Sequence, residues 1–419
     1  MIGCLVGLAL FADADNYAGT FEASNRTEFR PRYTEGEATP AIDLVDVATA
    51  RLDFSDRVWE HYIQYTPVLT LPYLFDFNSN VDEPLLLHAA SIATSWHDRR
   101  VRLQLSEDGN YGQENATLLT ATTTGAPTGS GSSGSTPAAQ INSAQQTITF
   151  GYSRTALYSD VQFSPRLRGS LLVSYLIQGG LDQGSRTLFP FQNGPRAEAT
   201  LGWSATRVDT AETHLVGQIS ESKTGECPEL PGEDLTKPLP TNCDPAVQFA
   251  FATEAWRKRF AGDVEGSIGV GVTLAQARLH ATDTYAKRTW PVLEAWLEKS
   301  YGRKEHRRSL RMDVDVEPVV DVRTAALDYR ATLTAIGTIP LQDDNALRLQ
   351  VWGIQSIDSV ILAPLTLFRA EAEIEHFYSP WLSYGGGVRV EWEHEDPFGS
   401  FYTLLALAQV TLRVPTVKF

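Results

Sequence analysis

The chain has 419 residues, and its 35 basic and 51 acidic side chains leave a net charge of −16. That balance excludes a nucleic-acid binder, which needs a basic footprint to neutralise phosphates. At 42% hydrophobic and 21% charged residues, the chain is neither disordered nor a bundle of membrane helices. Beyond the first dozen residues, no run approaches the roughly 18 apolar residues a spanning helix needs.

The N-terminal run IGCLVGLALF (residues 2–11) is followed by Ala12-Asp13-Ala14, an A-x-A cleavage pattern. It reads as a secretory signal over residues 1–14 that lacks the usual basic n-region. Met1-Ile2-Gly3-Cys4 is not a lipidation box, because its apolar run follows the cysteine instead of preceding it. Cleavage leaves Cys227 and Cys243, which bracket the aperiodic, Pro/Glu/Asp-rich segment CPELPGEDLTKPLPTNC. Two cysteines closing one loop of an exported protein predict a disulfide. The segment has no histidine to support a zinc site.

From residue 15 onward the dominant signal is alternation with period two. Predicted strands fall near 20–31, 42–54, 57–71, 87–97, 99–111, 146–163 and 167–178. They continue near 194–207, 210–222, 246–260, 262–280, 287–300 and 305–319. The last five lie near 322–338, 344–357, 365–378, 381–396 and 400–414. Connections such as 97–99, 207–209 and 397–399 are tight, whereas 112–145, 179–193 and 223–245 are long. The longest contains the Gly/Ser/Thr tract TTTGAPTGSGSSGSTPAAQ, which cannot pack a core. Alternation resumes on both sides of it, so residues 15–419 form one domain.

Phe368, Ala370, Ala372 and Ile374 fall on one face of a strand, opposite Arg369, Glu371, Glu373 and Glu375. Val388, Val390 and Trp392 oppose Arg389, Glu391, Glu393 and Glu395, while Leu310, Met312, Val314 and Val316 oppose Arg311, Asp313, Asp315 and Glu317. These segments run to about 10–15 residues, against the five or six usual in soluble sheets, and a tilted strand crosses a bilayer in roughly 9–11. A soluble sandwich would bury its apolar faces against each other. Here nearly every strand has one apolar and one charged face, which suits a closed barrel with lipid outside and a polar lumen within. Aromatics near segment ends (Trp59, Tyr62, Tyr65, Tyr73; Tyr378, Trp381, Tyr384; Phe398, Phe401, Tyr402) supply the expected interfacial girdles.

The pattern resembles the Gram-negative outer-membrane β-barrel class: all-β, a single antiparallel transmembrane barrel of about 18 strands, porin-like and in contact with outer-membrane lipid. That class commonly ends in an aromatic read by the barrel-assembly machinery, which the resemblance places at Phe419. Pro415 departs from it, since proline removes a ladder donor; either the last strand ends by Val414 or the insertion signal is atypical. The tight hairpin TSWHDRRVRLQLSEDGNYGQ (Thr94 to Gln113), the low-complexity insertion after it and the second strand series opening at Thr147-Ile148-Thr149-Phe150-Gly151-Tyr152 are similar to the barrel component of myxobacterial-type exopolysaccharide export. That resemblance implies transport of polysaccharide with a periplasmic export protein as partner.

The candidate site residues line the lumen. Glu371, Glu373, Glu375, Glu391, Glu393, Glu395, Asp313, Asp315 and Glu317 form an acidic wall, with Arg369, Arg389 and Arg311 among them. An 18-stranded barrel is too wide for its own side chains to fill, so this wall is expected to be solvated and cation-selecting. The alternative is a packed lumen in which the acids pair with cations such as Arg330 and Arg348. Trp290, Trp296 and Trp352 are lumen aromatics on which sugar rings could stack, or simple filler.

No enzyme is expected. A row of like charges gives no reason for the divergent environments of a glycosidase pair, and Asp313, Asp315 and Glu317 on an extended strand cannot wrap a calcium ion. There is no HExxH, and Gly129, Gly131 and Gly134 match a dinucleotide fingerprint without the strand and helix it requires. No metal or cofactor is expected. The favoured reading is a polysaccharide conduit; the alternatives are a diffusion porin with a cation-preferring lumen, a barrel hydrolase, and a non-transport surface or structural barrel.

Overall fold

The computed structural model describes residues 18–34, 41–72, 84–115, 147–223, 244–278, 284–301, 308–321, 325–342, 344–359, 365–395 and 399–418. The signal at 1–14, the Cys227–Cys243 pair, the Gly/Ser/Thr tract and Phe419 lie outside the described residues. Long alternating segments form β1 (Ala18–Thr34), β2 (Ala41–Ser55), β3 (Trp59–Leu71), β4 (Leu85–His97), β5 (Val101–Asn115) and β6 (Thr147–Gln162). They are followed by β7 (Leu167–Gly180), helix α1 (Gln183–Leu188), β8 (Phe191–Ser204), β9 (Asp209–Lys223), β10 (Ala246–Phe260), β11 (Val264–Arg278) and β12 (Ala286–Tyr301). The remainder are β13 (Arg308–Val320), β14 (Leu327–Gln342), β15 (Asn345–Ser359), β16 (Leu365–Ser379), β17 (Leu382–Glu395) and β18 (Gly399–Lys418).

Every strand pairs antiparallel with its sequence neighbours, and β1 pairs with β18, so the 18-stranded sheet closes on itself. Closure satisfies the backbone groups that lipid cannot. No helix among the described residues is long and apolar enough to cross a membrane; the strands do the crossing. β18 continues past Pro415 to Lys418. The pairing with β1 shifts there between Ala23–Val414 and Phe21–Val417. Pro415 thus sits in a bulge, where its missing donor costs no ladder bond.

The outward faces are apolar: on β11, Ile268, Val270, Val272 and Leu274 are all exposed. Trp203, Trp256, Phe260 and Trp381 ring the end carrying the termini and short turns, while Tyr33, Tyr111, Tyr175 and Tyr402 ring the opposite end. Tyr62, predicted in a girdle, points inward beneath the Arg51 guanidinium, 4.9 Å from its ring centroid. The end with long connections is the extracellular one in barrels of this architecture.

One seam departs from regularity. The β12–β13 ladder runs from Tyr301–Arg308 only to Leu293–Val316. β12 nevertheless continues to Ala286 on β11, and β13 to Val320 on β14. At the long-loop end these two strands part.

Candidate functional site

The lumen wall from β15 round to β2 is an ion-paired ladder. Period-two geometry brings Arg369, Glu371, Glu373 and Glu375 of β16 beside Glu391, Arg389, Gly387 and Gly385 of β17 on one face. Arg389 pairs with Glu371 at 2.6 Å and Arg369 with Glu391 at 3.0 Å. Glu375 lies between Arg348 of β15 and Arg413 of β18, each at 2.8 Å, and accepts the Ser383 hydroxyl at 2.7 Å. Glu373 accepts from the Gln409 amide. On β1, Glu28 holds Arg26 at 2.6 Å and also Arg30.

The expected solvated acidic wall is therefore corrected. Glu373, Glu375, Glu391 and Glu393 are buried, Glu375 to 1% exposure, and Arg369 and Arg389 interleave with them. Arg348, the packed alternative's candidate, does reach Glu375; the side chain of Glu395 lies outside what is described. Carboxylates this close cannot share a dry wall uncompensated, and long arginines both neutralise them and fill width that the barrel would leave as water. Arg26, Arg30 and Arg413 complete this wall, and the alternation Arg26-x-Glu28-x-Arg30-x-Arg32 carries the same signature in the sequence.

Across the lumen, Arg311 grips Asp313 at 2.6 Å, and Asp315 and Glu317 follow on the same inward face, with Glu317 buried. Glu294 accepts from Thr253 at 3.0 Å and meets His214 Nδ1 at 2.9 Å. Its reach over β11 is open because Gly269 and Gly271 face it there. The three predicted aromatics are already engaged. Trp296 is flanked by Arg257 and Arg311, 5.4 and 4.7 Å from its centroid; Trp352 lies 5.8 Å from Arg369; Trp290 stacks on Tyr329 at 5.0 Å. None presents a bare ring face as a sugar platform here. Among the described residues, no group of three His, Cys, Asp or Glu side chains is placed to hold a metal.

The seam between β12 and β13 explains the rest. Val316 and Val320 lie on the same face of β13 as lipid-facing Met312. They nevertheless pack against a buried cluster of Val247, Phe249 and Phe251 of β10, Ala275 and Ala277 of β11, Trp290 and Val292 of β12, and Leu327 and Tyr329 of β14. Apart from the hairpin's own Leu327 and Tyr329, those cluster residues face inward. The upper β13–β14 hairpin has thus folded inside the barrel and laid its outer face on the inner wall of β10–β12.

Polar contacts latch the hairpin there. The Tyr329 hydroxyl donates to Pro291 O at 2.7 Å, and Trp290 Nε1 to Asp358 at 2.9 Å. Buried Arg330 lies 3.1 Å from Asp321 and 3.0 Å from Asp328, and Asp328 also accepts Ser356 Oγ at 2.9 Å. At the hairpin end, Gln192 of β8 donates to Asp321 O at 3.0 Å. Ala325 adopts φ +58° to close the turn.

A second segment closes from β7. Asp182 caps α1, accepting from Ser185 N at 2.8 Å and Ser185 Oγ at 2.7 Å; these donors hold its carboxyl below the usual range. Phe189 packs edge-on against inward-facing Phe150 at 6.0 Å. The lumen is thereby narrowed at its extracellular end by two inturned segments. The period-two pattern of the sequence does not mark either segment as inturned.

Residues 13–230, more than half of the chain, match the model of the EpsX exopolysaccharide export family. No curated protein matches the sequence. Among solved structures, the FrpB iron transporter from Neisseria meningitidis (F5-1 variant) superposes with a TM-score of 0.51 at 10% identity, covering 93% of this chain. This chain spans only 64% of that protein's length. Pseudomonas aeruginosa OccK2 (OpdF) matches at TM-score 0.46 and 8% identity, over 95% of this chain and 98% of that one. The fold is that of an outer-membrane β-barrel, and the outer membrane is where this chain resides.

Proposed function

The chain belongs to the EpsX exopolysaccharide export family, and from that premise we propose that the barrel is the outer-membrane conduit for an exported polysaccharide. The inturned β13–β14 hairpin is its gate, and the described conformation is the closed one. A free-running porin would conduct continuously; a polysaccharide exporter has reason to stay shut until a chain is delivered from the periplasm. The observation that carries this reading is the apolar face the hairpin shares with β10–β12. Such an interface forms when the hairpin is in, and the same residues of β13 and β14 would complete the lipid-facing wall when it is out. A periplasmic export protein would engage the short-turn end, below the paired arginine and glutamate wall, and the barrel-assembly machinery would read Phe419.

The test is planar-bilayer conductance of the mature barrel with and without residues 318–329. The intact protein should insert with little steady conductance, and the shortened one should conduct stably. Equal, large conductance from both would overturn the gate and restore the porin. Equal silence from two folded, inserted proteins would point to a surface or structural barrel.

A further inference from the structure

The outer wall carries a depression that polysaccharide passage does not use. On the outward faces of β8–β12, near the long-loop end, Pro195, Ala197, Gly217 and Ala250 form a floor of small residues. Taller Val173, Ile219 and Leu274 stand around it, enclosing about 670 Å³. That volume lies within the roughly 300–1,000 Å³ of ligand sites. Its depth in the membrane is fixed by register: Pro195 pairs with Tyr175, an exposed member of the extracellular girdle, so the groove opens where lipid head groups meet acyl chains.

The rim is polar and basic. Gln276 donates to Gln248 at 2.8 Å across the groove. Lys287 pairs in register with Gln276 on the outer face of β12 and is exposed. Arg288, next along the strand, falls on the inner face with Trp290, where its Nε stands 3.9 Å from Asp358. In a chain of net charge −16, an exposed lysine above an apolar groove is a local reversal of sign. An anionic head group would find a charge-assisted partner there, while its chains would cover the small-residue floor.

We propose that this groove binds a phosphate-bearing, multiply acylated lipid of the outer leaflet. The phosphate meets Lys287, the Gln248–Gln276 pair bonds the neighbouring polar groups, and an acyl chain lies along Ala197, Gly217 and Ala250. The groove exists because the inturned hairpin has claimed the bulky side chains for the inner face of β10, leaving Ala250 and Ala252 on the outer one.

The test uses the full-length barrel in neutral detergent, titrated with bisphosphorylated lipid A and with its dephosphorylated form, and read by native mass spectrometry. A Cβ added at Gly217 would meet only Phe249 O, at 4.0 Å, so Gly217→Phe fills the groove without disturbing the wall. The phosphorylated lipid should bind about tenfold more tightly than the dephosphorylated one, the worth of one charged hydrogen bond. Gly217→Phe should lose about tenfold for both lipids, and Lys287→Glu should lose affinity for the phosphorylated form alone. Equal binding of the two lipids, or equal binding by wild type and both variants, would mean annular lipid only and overturn the site. Neither outcome depends on conductance, so this site and the gate can fail separately.

Discussion

Tyr329→Ala should open the barrel. In the closed hairpin the ring stacks on Trp290 with centroids 5.0 Å apart and planes 5° from parallel, and the hydroxyl donates to Pro291 O at 2.7 Å. Truncating a buried aromatic to alanine costs about 3–5 kcal/mol, of which roughly 0.5–1.5 is the ring pair and about 1 the hydrogen bond. Tyr329 has these partners only when the hairpin is in, so most of that loss falls on the closed state. At about 1.4 kcal/mol per factor of ten, the open-to-closed ratio rises roughly a hundred- to a thousandfold, enough to make a rare opening common. Tyr329→Phe keeps the ring and loses only the bond to Pro291, so it should raise the ratio about fivefold. Open probability of single inserted barrels is the readout, with heat-modifiable gel mobility confirming the fold. If Tyr329→Ala stays folded and its open probability equals that of wild type, the hairpin is a fixed part of the wall and the gating argument fails.

Arg369→Met strips the cation from Glu391, both partners being nearly fully buried, and should cost about 3–5 kcal/mol. Replacing Glu391 with Met as well should recover most of it, and urea midpoints in lipid vesicles would show whether the double variant is the more stable one. Ala325→Gly relieves the φ +58° turn and should tighten the hairpin by about 1 kcal/mol; the amide at position 325, bonded to Asp321 O at 2.8 Å, should exchange about fivefold more slowly. Asp182 has a lowered pKa through its Ser185 donors. Its contribution to α1 is therefore full above the unfolded value near 3.9 and fades as pH falls through the lower folded value. Hydrogen exchange across 180–189 should loosen below about pH 4, and Asp182→Asn should flatten that dependence; identical pH profiles would refute the cap's role.

How much of this was legible in the sequence depends on what period two can carry. It fixed which residues share a face: Glu371, Glu373 and Glu375 do lie together with Arg369, and the strand count and the split between short turns and long loops follow from segment length and turn chemistry. Ion pairing was harder to read, because partners on a barrel wall come from strands far apart in the chain. Glu375 takes one arginine from β15 and another from β18, and only closure and register bring both within reach.

The hairpin was hidden for a deeper reason. Alternation tells which residues share a face but not what that face meets. On β10, Val247, Phe249 and Phe251 alternate with Gln248, Ala250 and Ala252, and the ordinary rule for a membrane barrel would turn the phenylalanines to lipid. They turn inward because a second layer covers them, and that layer is the outer face of β13–β14, whose Val316, Val320, Leu327 and Tyr329 look equally ready for lipid. Each strand alone obeys the rule; the two together break it. Two apolar faces that could both meet lipid can also meet each other, and an interface able to exchange one partner for the other is what a gate in a bilayer wall requires.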